Sequence, residues 1–194
     1  LPEQLTEFVG RETELATACD LLGDSRLLTI LAPGGAGKTR LALQLAAELV
    51  EEYPQGVFLI ELAPISSVDD MVQAVAEAIG VPLSTDQPEF EQLLQYLANK
   101  RQLLVMDNFE HLTAGADLVV DILQAAPSVD VLATSRIKLS VSGETVLQLP
   151  GLDGEWETPQ EAFDASSVQL FVNTARRLDP AFTLEDGDLD ALRE

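Results

Sequence analysis

The chain has 194 residues, 46% of them hydrophobic, enough for one α/β domain of ordinary size and the start of another. Its 33 acidic and 11 basic residues give a formal net charge of −22 at pH 7. That balance argues against this segment gripping a nucleic-acid backbone, because phosphate contacts need clustered lysine and arginine. Cys19 and His111 are each the only residue of their type, which excludes an intrachain disulfide and a zinc site of ordinary ligand composition.

Taken in chain order, the first clear element is the apolar run Leu27-Leu28-Thr29-Ile30-Leu31, read as a strand. It leads into Ala32-Pro33-Gly34-Gly35-Ala36-Gly37-Lys38-Thr39 and then an amphipathic helix pattern from Arg40 to about Tyr53. Strand, glycine-rich turn and helix form the context that a phosphate-binding P-loop requires. Its glycines let successive backbone N–H groups turn inward at a helix N-terminus, where phosphates are held. Lys38 is placed to reach the β- and γ-phosphates, and the Thr39 hydroxyl to ligate magnesium. Ala32 stands where the usual consensus opens with glycine.

Val57-Phe58-Leu59-Ile60 reads as a second buried strand. The helix after it carries Met71, Val72, Val75, Ala76 and Ile79 on one face, with Ser67 or Asp69 as its cap and Gly80 followed by Pro82 as its stop. A further helix bears Phe90, Leu93, Leu94 and Leu97. The strand Leu103-Leu104-Val105-Met106 follows, then a helix with Leu118, Val119, Ile122 and Leu123, the strand Val129–Ala133, and a fifth strand at Val146–Leu149. Continuous apolar strands between amphipathic helices predict a five-stranded parallel sheet covered on both faces. Residues 1–150 are expected to form this domain and 151–165 a linker. Val168, Phe171, Val172, Ala175 and Leu178 mark one more helix, ended by Asp179-Pro180, so that 166–194 begins a helical domain. The chain reads as a piece of a longer protein. No membrane-length apolar run or signal-peptide pattern is present, and a cytoplasmic location is the expectation.

Two strand ends extend the site. In open α/β sheets the ligand lies beyond the carboxyl ends of the strands, so Asp107, ending Leu103–Met106, faces the same crevice as the P-loop. A carboxylate there can hold magnesium through its water shell. Arg136 ends Leu132-Ala133-Thr134-Ser135-Arg136, where a guanidinium can contact the γ-phosphate; the plainer alternative is a solvated arginine at a strand end.

Four stretches together resemble the STAND class, the signal-transduction ATPases with numerous domains that include NB-ARC modules. They are Pro33–Ala42, Leu104-Val105-Met106-Asp107-Asn108-Phe109-Glu110-His111-Leu112, Ala133-Thr134-Ser135-Arg136, and the opening Leu1–Glu12 with its Val9-Gly10-Arg11-Glu12. The likeness runs over essentially the whole chain and is nearest to the bacterial branch found in transcriptional activators. It implies an AAA+/STAND strand order, with the Arg136 strand between the P-loop strand and the Asp107 strand. It also implies that Val9, Gly10 and Arg11 help bind the adenine and ribose, beside the nucleotide-binding run Pro33 to Arg40 (Pro33, Gly34, Gly35, Ala36, Gly37, Lys38, Thr39, Arg40). ATP or ADP with Mg2+ would be the cofactors. The partners would be other domains of the same polypeptide, a helical domain with a Gly-x-Pro element, a winged helix and a repeat sensor. The fragment is expected to be monomeric, with nucleotide-driven oligomers possible for the full-length protein.

One departure concerns chemistry. Many such ATPases place a second acid directly after the magnesium aspartate, to activate the attacking water. Here that residue is Asn108, whose amide can position water but cannot take its proton near neutral pH. Glu110 lies near enough to be the substitute, and Glu61, ending the second strand at the expected sheet edge, is a poorer one. Slow hydrolysis is therefore the expectation. The other readings of a P-loop, a metabolic kinase or phosphotransferase and an AAA+-type motor, lack an evident acceptor pocket and pore-loop aromatics, respectively.

Overall fold

The computed structural model describes residues 1, 2, 4, 8–152 and 156–192. Parts of two expectations, the opening element at residues 3 and 5–7 and the linker at Asp153, Gly154 and Glu155, lie outside the described residues. The chain divides into two compact units: Leu1–Glu3 with Thr13–Leu149, and Gln4–Glu12 with Pro150–Glu194.

The larger unit is built on five parallel strands: β1 (Leu27–Leu31), β2 (Val57–Glu61), β3 (Gln102–Asp107), β4 (Val129–Ser135) and β5 (Glu144–Gln148). Their order is β2-β3-β4-β1-β5, and every pairing is parallel. The β4 strand, which leads to Arg136, thus lies between the P-loop strand β1 and the Asp107 strand β3, as the resemblance implies. All six residues of β3 are buried, which is why it reads as an unbroken apolar run rather than an alternating one.

The helices of this unit are α1 (Glu12–Asp24), α2 (Lys38–Glu48), α3 (Val68–Ala78), α4 (Glu89–Leu97) and α5 (Ala116–Ala125). Leu104 and Met106 of β3 join Met71, Val75, Leu93, Leu97, Val119 and Ile122 in one core cluster under α3, α4 and α5. Leu103 and Val105 alternate to the other face, and α2 packs on β3 and β4. Ser67 caps α3, its Oγ accepting from the Asp70 N–H at 3.1 Å. The stop comes where expected: α3 ends at Ala78, and Gly80 follows with φ 73°.

Two features of this unit are absent from the sequence reading. Helix α1, which is not among the predicted elements, buries Leu15, Ala18 and Leu22 at helical spacing. Its exposed positions are acidic or short. Arg26, just before β1, donates to the carbonyls of Leu123 at 2.7 Å, Ala126 at 2.6 Å and Val129 at 2.7 Å, and so ties the end of α5 to the start of the sheet.

In the smaller unit, α6 (Pro159–Asp164) occupies part of the stretch whose composition suggests a linker. Thr158 caps it, accepting from the Glu161 N–H at 3.3 Å, and Pro159 sits at the helix start where its missing N–H costs nothing. Helix α7 (Ser166–Leu178) follows, and 3-10 turns run over Asp186–Leu192. Among the described residues no helix is long and apolar enough to cross a membrane.

Candidate phosphate-binding site

The P-loop is a turn that only glycine accommodates comfortably. Gly35 and Gly37 have φ of +79° and +86°, in the left-handed region, and a Cβ on either would meet nothing within 4 Å. Gly37 is the N-cap of α2 and makes no side-chain cap there, so the first amides of that helix point at the cradle without a protein side chain in competition.

Lys38 is 7% exposed, and its ammonium donates to the carbonyls of Ala32 at 2.9 Å and Pro33 at 3.0 Å. It is thereby held across the mouth of its own loop, since a buried ammonium must find acceptors. The next residue, Thr39, donates its hydroxyl to Asp107 Oδ1 at 2.7 Å. This contact joins the start of α2 to the end of β3, 68 positions apart in sequence. A threonine hydroxyl that donates to a carboxylate keeps its lone pairs for a hard cation, and a nearby carboxylate adds the second hard-oxygen group. The two fit a magnesium ion held partly by phosphate oxygens. No cluster of three His, Cys, Asp or Glu side chains able to hold a metal by themselves occurs among the described residues.

Asp107 is 7% exposed and takes a second hydroxyl on the same oxygen, from Thr134 at 2.5 Å. Thr134 is fully buried on β4 and also accepts the Asn108 N–H at 3.0 Å. It therefore braces the aspartate and the first residue after it, where the chain turns through Asn108 at φ 62° and ψ 51°. Asparagine is among the few non-glycine residues that tolerate this conformation. Thr134 belongs to the Ala133-Thr134-Ser135-Arg136 stretch, and its bracing role becomes visible only in the fold. The available signal is a hydroxyl residue near the carboxyl end of a central strand, two positions before Arg136. Thr134→Val should leave the Asn108 N–H unsatisfied and Asp107 one donor short. The expected loss of unfolding free energy in a denaturant titration is about 1–3 kcal/mol, with most of it restored by Thr134→Ser.

Arg136 lies against the P-loop: a Cβ on Gly34 would come within 3.2 Å of its Nη2. Its Nε is paired with Glu110 Oε1 at 3.0 Å. Glu110 is thus engaged by a cation rather than standing apart from one, and its other oxygen, Oε2, is buried without a hydrogen-bond partner. Glu61 is exposed at the end of the edge strand β2, in register with Asp107.

Lys38, Thr39, Asp107, Asn108, Glu110 and Arg136 are therefore brought together in the larger unit. Val9, Gly10 and Arg11 belong to the smaller one. There Gly10, at φ 70°, is so close to Ser166 that no Cβ would fit, and Arg11 donates to the Pro150 carbonyl at 2.7 Å.

A cavity of about 680 Å³ opens near Arg26, Tyr53, Arg101 and Asp130. These residues sit at the amino ends of β1, β3 and β4, opposite the P-loop. Burial and the Asp130 carboxylate, which accepts the Tyr53 hydroxyl at 2.9 Å, push the pKa of that hydroxyl up.

Comparison with known proteins agrees with this geometry. A family described as AAA domain matches residues 22–148. A Mycobacterium tuberculosis protein, named as a candidate HTH-type transcriptional regulator, is 35% identical over 175 residues. The match covers 90% of this chain and 19% of that protein, so the chain spans about a fifth of this relative's length. Among solved structures, a STAND protein with a tetratricopeptide repeat sensor from Pyrococcus horikoshii superposes with a TM-score of 0.55 at 17% identity, over 98% of this chain and 28% of that one. The Aeropyrum pernix ORC2 protein, solved as ADPNP and ADP complexes, gives a TM-score of 0.59 at 15% identity, over 79% of this chain and 51% of that one. At such identities these two structures establish the fold alone. With the family match covering the sheet, the P-loop and both strand-end sites, this chain belongs to the AAA domain family of P-loop ATPases.

Proposed function

We propose that the chain is the adenine-nucleotide switch of a larger STAND-type signalling or transcriptional regulator. It would bind ADP or ATP with magnesium, hydrolyse ATP slowly, and act on other domains of the same polypeptide, in the cytoplasm. The observation that carries this reading is the position of Arg136, a guanidinium at a strand end lying against Gly34 of the phosphate loop. A cation there can feel a third phosphate, whereas Lys38, which also reaches the β-phosphate, and the magnesium residues Thr39 and Asp107 serve both nucleotides. The relative named as a candidate transcriptional regulator supports the regulatory role.

In this scheme the P-loop amides and Lys38 bind and orient the phosphate chain. Thr39 and Asp107 would hold magnesium, which neutralises charge on the terminal phosphates when bound. Thr134 keeps Asp107 aimed into the crevice. A ligand shifts a two-state equilibrium only by its difference in affinity for the two states, so a contact confined to ATP is what a switch needs. Titrating wild type and Arg136→Ala with ADP and with a non-hydrolysable ATP analogue tests this. The variant should lose about 1 kcal/mol or more with the analogue and almost nothing with ADP. Equal losses with both nucleotides would make Arg136 a general electrostatic residue, and no loss with either would make it a solvated strand end.

A further inference from the structure

The partner of Arg136 suggests how the discrimination is tuned. We propose that Glu110 is a competing counter-ion, which holds Arg136 in reserve and sets how strongly the site prefers ATP to ADP. This rests on the reading of Arg136 as the group that senses the γ-phosphate.

Glu110 is fixed in place rather than carried on a loose loop. It sits in the 3-10 turn Phe109–His111, directly after the left-handed Asn108, and Phe109 is fully buried in the core. From there its Oε1 meets Arg136 Nε at 3.0 Å. The guanidinium is the more exposed partner, 62% against 21% for the glutamate side chain, so the arginine is the one free to swing. Glu110 Oε2 is buried and finds no hydrogen-bond partner, which leaves Arg136 as the group that offsets the carboxylate's charge. A γ-phosphate entering beside Gly34, where Nη2 already lies, would have to compete with this carboxylate for the guanidinium's charge. ADP, which ends one phosphate earlier, makes no such demand. Partly exposed ion pairs are weak, which keeps the competition reversible.

The test is a set of equilibrium titrations of the 194-residue chain with Mg-ADP and a non-hydrolysable Mg-ATP analogue. Glu110→Gln keeps the shape and removes the charge. It should tighten analogue binding about three- to fivefold and change ADP binding by less than about twofold. In an Arg136→Ala background the gain should vanish, because no cation remains to be released. Glu110→Ala should act in the same direction as Glu110→Gln, and melting curves by circular dichroism check that each variant is folded. If Arg136→Ala selectively weakens the analogue but Glu110→Gln leaves the analogue-to-ADP ratio unchanged, the role of Glu110 is overturned and the sensing role of Arg136 stands. If the gain persists without Arg136, Glu110 repels phosphate directly and the reserve arrangement is wrong. If Arg136→Ala alters neither nucleotide, the sensing role falls and this inference falls with it.

Discussion

Replacing Lys38 with alanine is expected to weaken ADP and ATP binding alike, by about tenfold to a hundredfold. Lys38 is 7% exposed, and its ammonium lies across the P-loop on the carbonyls of Ala32 and Pro33. When phosphate enters, the same group can exchange a neutral acceptor for a doubly charged one. A hydrogen bond between charged partners is worth about 1.5–3 kcal/mol, which sets the size of the effect. Because Lys38 also braces the loop through these carbonyls, a melting curve should accompany the titration. Isothermal titration with ADP reads the result, and equal affinity for wild type and variant would refute a phosphate role for this loop. Lys38 and Arg136 are thereby separable: the first should matter for both nucleotides, the second for ATP alone.

The second large effect concerns turnover. The 194-residue chain should release phosphate from ATP, without any added acceptor, far more slowly than the roughly 10 per second typical of enzymes. Asn108 follows the magnesium-site aspartate and has no proton-accepting group, while Glu110 is engaged with Arg136 at 3.0 Å. Asn108→Asp should raise the rate by about tenfold or more, toward the roughly 10²–10⁴-fold that a positioned general base contributes. The substitution suits the backbone, since aspartate shares asparagine's tolerance of the left-handed conformation held at this position, φ 62°. ADP affinity should not follow the rate. Brisk wild-type turnover would show that Glu110 or another group already acts as a competent base. Dependence on an added acceptor would favour a phosphotransferase instead.

The sequence alone determined what depends on local order. Leu103–Met106, four consecutive apolar residues, and the runs Leu27–Leu31 and Val129–Ala133, each broken by a single polar residue, read as buried strands between amphipathic helices. Glycines at positions 34, 35 and 37 followed by Lys38-Thr39 specified a loop geometry that almost nothing else adopts. Boundaries were less legible where composition misled. The Gly- and acid-rich stretch after Pro150 hides α6, whose start depends on one cap and one proline, and α1 hides behind a weak apolar stripe. Tertiary structure alone decided the pairings that cross the chain: Thr39 with Asp107, Thr134 with Asp107, Arg136 with Glu110, and Arg26 with the end of α5. Each of these contacts joins residues 26 to 97 positions apart, and sequence order carries no information about which hydroxyl or carboxylate a strand end will meet. That depends on strand order, β3 and β1 being the two neighbours of β4, which places Asp107, Thr134 and the P-loop at one edge of one sheet.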